Sequence, residues 1–325
     1  MSFSILGTGH ALPHQTVTNH DFCKILDTSD EWIVSKTGIQ ERHILSNESL
    51  TDLAVTAAQN AFENAKIDPK EIDLVLCATL CGDTHTPSQA CLAAKRLNLV
   101  CPAFDINAAC SGFIYALDIA AGFFVRKRVK KVLILCAEQM SRLLDFSDRS
   151  TCVLFGDGAA AVILGEGNSL LSIKISATPD DQIIRAPFTG GKSPFNKREC
   201  ERPFLTMLGQ EVYRFAVVSA VNDLEYVMRE AKLGKDEIAY VLLHQANMRI
   251  SEAVRDKTNM DKEKFLSCIQ KTGNISAVTI PMLLDEANRQ GILKKGDVLA
   301  MAGFGAGLTT AACLLRWGAE DTKSM

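Results

Sequence analysis

An internal repeat constrains the fold of this chain more than any other feature of its sequence. The segment Glu71-Ile-Asp-Leu-Val-Leu76 returns as Glu237-Ile-Ala-Tyr-Val-Leu242, 166 positions later. Leu117-Asp118 returns as Leu284-Asp285, and Phe155-Gly-Asp-Gly is matched by Phe304-Gly-Ala-Gly, each before an apolar run. Several repeated segments in the same order predict two similar halves, which we place at residues 1–168 and 169–325.

Each half has the pattern of an α/β unit. Short runs of Val, Ile and Leu at 74–77, 132–136, 241–243 and 298–301 predict strands that are covered on both faces. Residues 113–125 are apolar on almost every side, which predicts a buried helix layer shared by the halves. The Gly-rich stretch 165–169 is the expected boundary. Residues 178–204 hold four of the nine prolines, which is typical either of a lid over a site or of a surface insertion.

Composition and charge exclude several classes of protein. The 325 residues are 47% apolar, too apolar for a disordered chain, and the net charge of −3 disfavours nucleic acid as a partner. The eleven cysteines include no CxxC pair, which favours a reduced, cytoplasmic protein over a disulfide framework or a zinc site. His10, His14 and His20 have no accompanying cluster of ligands, so we expect no metal. We also expect neither a secretory signal nor a membrane span.

Cys110 is the cysteine whose position best suits chemistry. It follows an extended run at 103–107 and directly precedes the apolar helix, so its sulfur is expected at a helix N-terminus. The unpaired N–H groups and the positive dipole end found there favour thiolate over thiol. Small neighbours on both sides leave room for a substrate. Position alone leaves two interpretations open, a nucleophile or a buried structural cysteine.

His244 and Asn274 are the candidate polar partners from the rear half. His244 ends a predicted strand, and Asn274 lies in a turn before another helix. The repeat places Cys110 near Ser276, beside Asn274, so we expect the three side chains to converge where the halves meet. A neutral imidazole and a carboxamide can both donate to one developing oxyanion, which suits decarboxylation opposite an acyl thioester. A cysteine hydrolase, whose imidazole activates water, is the alternative.

Several motifs, in this order and spacing, resemble those of one family. They are Asp27-Thr-Ser-Asp-Glu-Trp-Ile33, Thr37-Gly-Ile39, Ala109-Cys-Ser-Gly112, Phe155-Gly-Asp-Gly158, His244-Gln-Ala-Asn247, Gly273-Asn274 and Phe304-Gly-Ala-Gly307. Over nearly its whole length the chain resembles β-ketoacyl-[acyl-carrier-protein] synthase III. The resemblance implies an α/β, thiolase-like fold of five layers, αβαβα, in which the two halves are pseudo-symmetric. It also implies a homodimer and an acyltransferase of fatty acid synthesis, which condenses an acyl-CoA with malonyl-acyl carrier protein through acyl-Cys110.

The resemblance assigns roles to particular residues. The catalytic triad falls on Cys110, His244 and Asn274, and the backbone N–H groups of Cys110 and Ala306 form an oxyanion hole. The positions that match contacts to coenzyme A are Thr28, Trp32, Lys36, Arg149, Met207, Asn247 and Phe304. Those that match the acyl-carrier-protein surface are Arg214, Arg249 and Lys257. Coenzyme A enters as a thioester substrate, and neither a cofactor nor a metal is implied.

The chain departs from the family pattern at several positions. Lys36 stands where Arg is frequent, which keeps the charge but weakens bidentate contact with phosphate, and Asp256 replaces a frequent basic residue. Thr86 stands where short-primer enzymes carry a bulky Phe at the acyl pocket, so we expect room for a longer or branched primer. Three other functions stay open: a specialised relative that acylates another acceptor, a non-catalytic carrier-binding scaffold, and the hydrolase.

Overall fold

We describe the chain from a computed structural model, in which residues 2–187, 194–195 and 203–318 are described. Helices and strands alternate over residues 30–139. The strands are β1 (Ser2–Ala11), β2 (Gln15–Thr18), β3 (Glu41–Ile44), β4 (Leu74–Ala78), β5 (Ala103–Ile106), β6 (Lys131–Gln139), β7 (Asp157–Gly167), β8 (Leu170–Asp180), β9 (Ile184–Arg185), β10 (Thr206–Met207), β11 (Ile238–Leu243), β12 (Val298–Gly305) and β13 (Gly307–Arg316). The helices are α1 (Asn19–Cys23), α2 (Asp30–Thr37), α3 (Leu50–Ala65), α4 (Gln89–Arg96), α5 (Gly112–Val125), α6 (Gly209–Ala231), α7 (Met248–Thr258), α8 (Ile269–Thr272) and α9 (Thr279–Arg289).

Two main sheets repeat one topology. The front sheet has the order β1-β7-β6-β4-β5, and the rear sheet has the order β8-β13-β12-β11 when it is read in the matching direction. In both sheets the inner pair is parallel (β4 with β6, β11 with β12), and the two remaining matched strands run antiparallel to their neighbours. The rear counterpart of β5 is reduced to one parallel bridge between Val241 and Phe265. The predicted strands at 74–77, 132–136, 241–243 and 298–301 are confirmed.

The helices complete five layers. Helices α3 and α4 cover the outer face of the front sheet, and α6, with α7 packed on it, covers the outer face of the rear sheet. Helices α5 and α9 lie between the sheets and contact strands of both. The largest apolar core lies in this middle layer and takes residues from both halves, including Phe113 and Leu117 of α5 and Leu284 of α9. The predicted α/β, thiolase-like αβαβα architecture is therefore confirmed.

The chain passes from one sheet to the other at residues 168–169. Every strand of the front sheet comes from residues 2–167, and every strand of the rear sheet comes from residues 170–316. Most of the Gly-rich stretch belongs to β7, so the connection itself is shorter than its composition indicated. We therefore propose 1–168 and 169–325 as the two halves.

The middle-layer helix α5 departs from the prediction at its far end. Its first two turns are buried, but Val125 is 66% exposed. Apolarity on every side indicates that a helix avoids water, yet it does not reveal which face a single chain can cover.

Two expectations concern parts of the chain that the structure covers incompletely. Much of the predicted lid or insertion, at 188–193 and 196–202, lies outside the described residues. Within the described residues, no helix combines the length and the apolarity needed to cross a bilayer.

Candidate active site

Cys110, His244 and Asn274 lie on the wall of one cavity of about 1490 Å³. Cys110 is carried by a 3-10 turn, Ala109–Ser111, between β5 and α5. His244 directly follows β11, and Asn274 lies between α8 and a second 3-10 turn, Ser276–Val278. The structure thus brings a thiol from the front half together with an imidazole and a carboxamide from the rear half.

The thiol of Cys110 is protonated at neutral pH. Burial raises its pKa to about 12, although a hydrogen bond from the Ser276 side chain acts in the opposite direction. The expectation that a helix N-terminus would favour the thiolate is therefore wrong. Helix α5 begins at Gly112, beyond the turn, and burial is the largest effect on the pKa of the thiol.

The imidazole of His244 is neutral, as predicted. The side chain is 1% exposed, and burial lowers its pKa to about 3. Its Nδ1 atom is buried without a hydrogen-bond partner, and the ring packs edge-on against Phe304 with centroids 5.2 Å apart. Because Nδ1 meets no donor or acceptor, the ring suits the tautomer that carries its proton on Nε2 and can donate from that atom.

The carboxamide of Asn274 is fixed from both sides. The backbone N–H of Ser276 donates to its Oδ1 at 2.8 Å. The Asn274 backbone N–H donates to Leu154 O at 2.8 Å, and its carbonyl accepts from Gly156 N at 3.1 Å. Since Oδ1 is occupied, Nδ2 is the part of the amide that is left to donate into the cavity.

Strand β12 approaches the Cys110 turn so closely that glycine is required. A Cβ placed on Gly305 would lie 2.7 Å from the Cys110 backbone nitrogen. The next residue, Ala306, lines the cavity, and its carbonyl accepts from Thr309 Oγ1 at 3.0 Å. The same hydroxyl also lies 3.0 Å from Ala108 O, so it can donate its one proton to either of the two segments whose N–H groups were predicted to form an oxyanion hole.

One end of the cavity mouth carries the predicted aromatic and cationic pair. The Arg149 guanidinium lies 5.1 Å from the centroid of the Trp32 ring and also donates to Asp27 O. It occupies the space over the ring, so it has to move if a flat base is to stack there. Helix α2, which carries Trp32, is capped by Ser29, whose Oγ accepts from Trp32 N at 3.1 Å.

The remaining predicted residues divide into two groups. Those that line the cavity are Lys36, Met207, Arg214, Asn247, Arg249 and Phe304. Asn247 caps α7 and also donates from Nδ2 to Lys36 O at 3.0 Å, which joins the two halves at the mouth.

Three predicted residues do not line the cavity. Thr28 lies beside the Trp32 helix, with its Oγ1 buried and unpaired. Lys257 is exposed in the last turn of α7, and Thr86 is exposed on the surface of this chain. A role for Thr86 in the pocket therefore depends on a second subunit.

Sequence reasoning missed Glu138. This carboxyl is fully buried near the end of β6 and hydrogen-bonds Ser276, next to Asn274. A signal was present, since Glu138 is the one acidic residue of β6 and directly follows the apolar run 132–137. Among the described residues, no group of three or more His, Cys, Asp or Glu side chains is arranged to hold a metal ion.

Two family models match the chain. The model described as 3-oxoacyl-[acyl-carrier-protein] synthase III matches residues 104–179, and the model of its C-terminal part matches residues 228–317. The chain is 42% identical over 323 residues to a β-ketoacyl-[acyl-carrier-protein] synthase III of Clostridium acetobutylicum, covering 97% of this chain and 99% of that protein.

Solved structures give the same result. A 3-oxoacyl-[acyl-carrier-protein] synthase III from Aquifex aeolicus matches with a TM-score of 0.90 and 42% identity, covering 97% of this chain and 100% of that one. The priming β-ketosynthase of the R1128 polyketide pathway matches with a TM-score of 0.90 and 32% identity, covering 98% of this chain and 97% of that one.

Proposed function

Because the chain belongs to the β-ketoacyl-[acyl-carrier-protein] synthase III family, we propose that Cys110, His244 and Asn274 share the two steps of its reaction. The enzyme is an acyltransferase that performs the decarboxylative condensation which initiates fatty acid synthesis. The observation that carries the assignment of residues is the convergence of these three side chains on one cavity between the halves.

In the first step Cys110 takes the acyl group. Its sulfur attacks the carbonyl of an acyl-CoA, a carbon–sulfur bond forms, and the bond to coenzyme A breaks. The thiol proton leaves with coenzyme A as its free thiol. The backbone N–H groups of Cys110 and Ala306 are placed to stabilise the carbonyl oxygen as it becomes negative.

In the second step His244 and Asn274 act on malonyl-acyl carrier protein. The malonyl carboxylate leaves as carbon dioxide, and its electron pair passes into the thioester as an enolate. His244 Nε2 and Asn274 Nδ2 donate to the enolate oxygen. The carbanion then attacks acyl-Cys110, the carbon–sulfur bond breaks, and the sulfur takes up a proton. A neutral imidazole is the form that this step requires, because it donates without adding charge.

The mouth of the cavity suits the two carriers of acyl groups. Trp32 and Arg149 would hold the adenine of coenzyme A, with Thr28, Lys36, Met207, Asn247 and Phe304 along its path. Arg214 and Arg249 on the rim, with Lys257 farther along α7, would receive the acidic carrier protein by charge complementarity. The reaction needs neither a metal nor a further cofactor, and we place it in the cytoplasm.

We propose that the chain works as a homodimer through β5. Among the described residues this strand is the edge of the front sheet and pairs with β4 alone, so its outer edge can receive another strand. Phe104 on β5 is 38% exposed. Asp105 of β5 accepts from Gln89 N at 2.7 Å, which places the Thr86 segment beside the same edge. Thr86 would then approach the acyl pocket of the partner, where its small size admits a longer or branched primer.

A second candidate is a specialised enzyme of the same fold that acylates another acceptor in secondary metabolism. The similarity to a priming ketosynthase of a polyketide pathway favours keeping it. The two candidates share acyl-Cys110 and differ in what removes the acyl group.

Intact-protein mass spectrometry after exposure to a panel of acyl-CoAs, followed by malonyl-acyl carrier protein, tests the proposal. We expect an acyl adduct on Cys110 that the malonyl donor discharges as β-ketoacyl-acyl carrier protein. Discharge by water to free acid would support the hydrolase, and an adduct that only another acceptor removes would support the second candidate. Reaction with acetyl-CoA but not with octanoyl-CoA would contradict the role given to Thr86.

A further inference from the structure

Among the described residues, the largest fully buried side chain is that of Arg42 on β3. Its guanidinium donates from Nη1 to Val17 O at 3.2 Å and to Asn19 Oδ1 at 2.9 Å, and from Nη2 to Val153 O at 2.7 Å. Its Cζ lies 4.7 Å from the centroid of the Phe22 ring. Burial lowers the pKa of Arg42 to about 10, so the group is still charged at neutral pH. A buried charge whose three acceptors are uncharged is costly, and the groups that it binds indicate what it does.

Residues 153–156, which we call the support segment, run alongside the backbone of Asn274. Leu154 O accepts from Asn274 N at 2.8 Å, and Gly156 N donates to Asn274 O at 3.1 Å. Both backbone groups of Asn274 are therefore bound to the support segment. The first carbonyl of that segment is the one that accepts from Nη2 of Arg42.

Arg42 also packs directly against the turn that carries Asn274. A Cβ placed on Gly156 would lie 3.1 Å from Arg42 Cβ, and one placed on Gly273 would lie 3.3 Å from the same atom. The Cβ on Gly273 would also lie 2.8 Å from Leu154 O. Glycine at both positions lets the support segment, the arginine and the turn come this close, and in such close packing a shift of one is passed to the others.

The other side of the guanidinium is held by the front half. Asn19, whose Oδ1 accepts from Arg42, donates from Nδ2 to Asp30 Oδ1 and to Ile39 O, both at 2.8 Å. The Asn19 side chain is buried, so these bonds are sheltered from water. Arg42 therefore connects a fixed point in the front half with the backbone of Asn274, which comes from the rear half.

The Cys110 turn has supports of its own. Ser111 Oγ donates to Thr309 O at 3.2 Å, and β12 approaches Cys110 N at Gly305. Among the described residues, the hydrogen bonds of Arg42 reach neither this turn nor the strands that hold it. The thiol and the carboxamide are thus positioned through different contacts, so a change at Arg42 should reach the carboxamide first.

We propose, on the basis of the proposed function, that Arg42 is a positioning residue for the second step of the reaction. It holds the support segment, the support segment holds the backbone of Asn274, and the carboxamide is thereby aimed at the enolate oxygen. Charge alone does not achieve this, because the planar fork binds Asn19 and Val153 at once, which a single ammonium group does not. A donor that is misplaced by about 1 Å can cost about 10²-fold in rate. The loss should therefore appear in carbon dioxide release rather than in acylation.

The test measures the two steps separately. Intact mass at saturating acyl-CoA measures acylation of Cys110, and a single turnover of the acylated protein with malonyl-acyl carrier protein measures carbon dioxide release. Arg42→Met keeps an apolar stem but removes the guanidinium, and we expect it to slow carbon dioxide release by about 10–100-fold while acylation stays within about twofold. Arg42→Lys keeps the charge but loses the fork, and it should slow the same step by a smaller factor. It decides the question if Arg42→Met does not fold.

Lys174→Met is the matched control. It removes a cation of β8 that pairs with Asp223 of α6 at 2.5 Å, on the outer face of the rear sheet. It should lower the melting temperature without acting on one step more than on the other. If the Arg42 variants likewise slow both steps equally, the role of Arg42 is purely structural and the proposal is overturned.

Hydrogen exchange gives a measurement that does not depend on the reaction. The N–H groups of Asn274 and Gly156 should exchange about tenfold faster in the Arg42 variants than in wild type or Lys174→Met, as followed by mass spectrometry of short peptides. Unchanged exchange would overturn the proposal.

Asn274→Ala separates this proposal from the proposed function. If it loses carbon dioxide release and the Arg42 variants do not, the proposed function stands and the role of Arg42 is rejected. If Asn274→Ala itself releases carbon dioxide at the wild-type rate, the proposed function is rejected, and the exchange rates alone decide whether Arg42 holds Asn274.

Discussion

The Cys110 turn and the Ser276 turn have nearly the same backbone but carry different chemistry. Each is a 3-10 turn that starts at a left-handed non-glycine residue, Ala109 with φ of 47° and Ser276 with φ of 51°, and each leads into a middle-layer helix. Each follows an asparagine two residues earlier whose Oδ1 accepts the N–H of the left-handed residue, at 3.4 Å for Asn107 and 2.8 Å for Asn274.

This comparison corrects one detail of the repeat. The turns are related by 167 positions, one more than the repeat at Glu71 and Glu237, so the counterpart of Cys110 is Ala277. The front turn supplies a nucleophile, with small neighbours that leave room for a substrate. The rear turn supplies hydrogen bonds to the groups around it. The two copies of the fold thus provide the same scaffold, and the side chains placed on each copy decide its task.

Loss of the thiol should reduce activity more than any other change in the two turns. Cys110→Ala should abolish the acyl adduct and reduce condensation by about 10³-fold or more, since no other group forms the thioester. Ala277→Cys in the same background puts a thiol on the rear turn. We expect no recovery, because that turn lacks the approach of β12 and Ala306. Intact mass after acyl-CoA exposure measures both, and an adduct on residue 277 would show that the turns are interchangeable.

The two asparagines lie at matched positions of the turns, but we expect different losses of activity when each is removed. Asn274→Ala removes a donor to the enolate and should lower the rate of condensation by about 10²–10³-fold while Cys110 still becomes acylated. Asn107→Ala is the matched change in the front turn, where no enolate forms, and it should cost far less. Separate assays of acylation and of carbon dioxide release distinguish the steps. Equal losses of activity in both variants would mean that the asparagines only stabilise the conformation of their turns.

A substitution at Gly305 tests how closely strand β12 packs against the Cys110 turn. A methyl group there would meet Cys110 N at 2.7 Å, so Gly305→Ala should destabilise the fold by about 1–3 kcal/mol and slow acylation. Gly122→Ala is the control, because its Cβ meets nothing within 4 Å and helix α5 gains about 0.5–1 kcal/mol from alanine. Urea unfolding reports both, and a Gly305→Ala protein as stable as wild type would contradict the close approach.

Each half also carries one buried titratable group near the site. The two groups make the free energy of unfolding change with pH in opposite directions. The pKa of His244 is lowered from 6.5 to about 3. Its contribution to the free energy of unfolding is therefore complete above pH 6.5 and is lost as pH falls from 6.5 towards 3. The pKa of Glu138 is raised from 4.5 to about 8, so its contribution is present below pH 4.5 and is lost as pH rises towards 8. Between the two pKa values of each group, the free energy of unfolding changes by about 1.4 kcal/mol per pH unit.

Urea unfolding of wild type, His244→Gln and Glu138→Gln at a series of pH values checks these signs. His244→Gln should flatten the acid side alone, and Glu138→Gln should flatten the side between pH 4.5 and 8. The same change in both windows from one variant would contradict the assignment.

Much of this architecture was predictable, because it rests on patterns that repeat locally. Val241–Leu243 and Val298–Met301 read as buried strands from their own residues, and the echo of Leu117-Asp118 in Leu284-Asp285 marks two helices of one layer. The convergence of Cys110, His244 and Asn274 followed from the repeat, since equivalent turns of pseudo-symmetric halves meet near their common axis.

Properties that depend on both halves at once were not predictable. Burial is the largest effect on the pKa of Cys110 and raises it, whereas the position of the front turn alone predicted the opposite direction. Glu138 is visible in the sequence as a charge within an apolar strand, but its connection to Asn274 runs through Ser276, 138 positions away. The exposure of Val125 likewise depends on how far the surrounding elements reach along α5.

The desolvated sulfur of Cys110 also affects how the protein survives between turnovers. Thiolates attack peroxides and disulfides, and a thiol whose pKa lies near 12 presents almost none of that form at neutral pH. The burial that raises the pKa of Cys110 therefore also lowers the share of thiolate that oxidants meet in the resting protein.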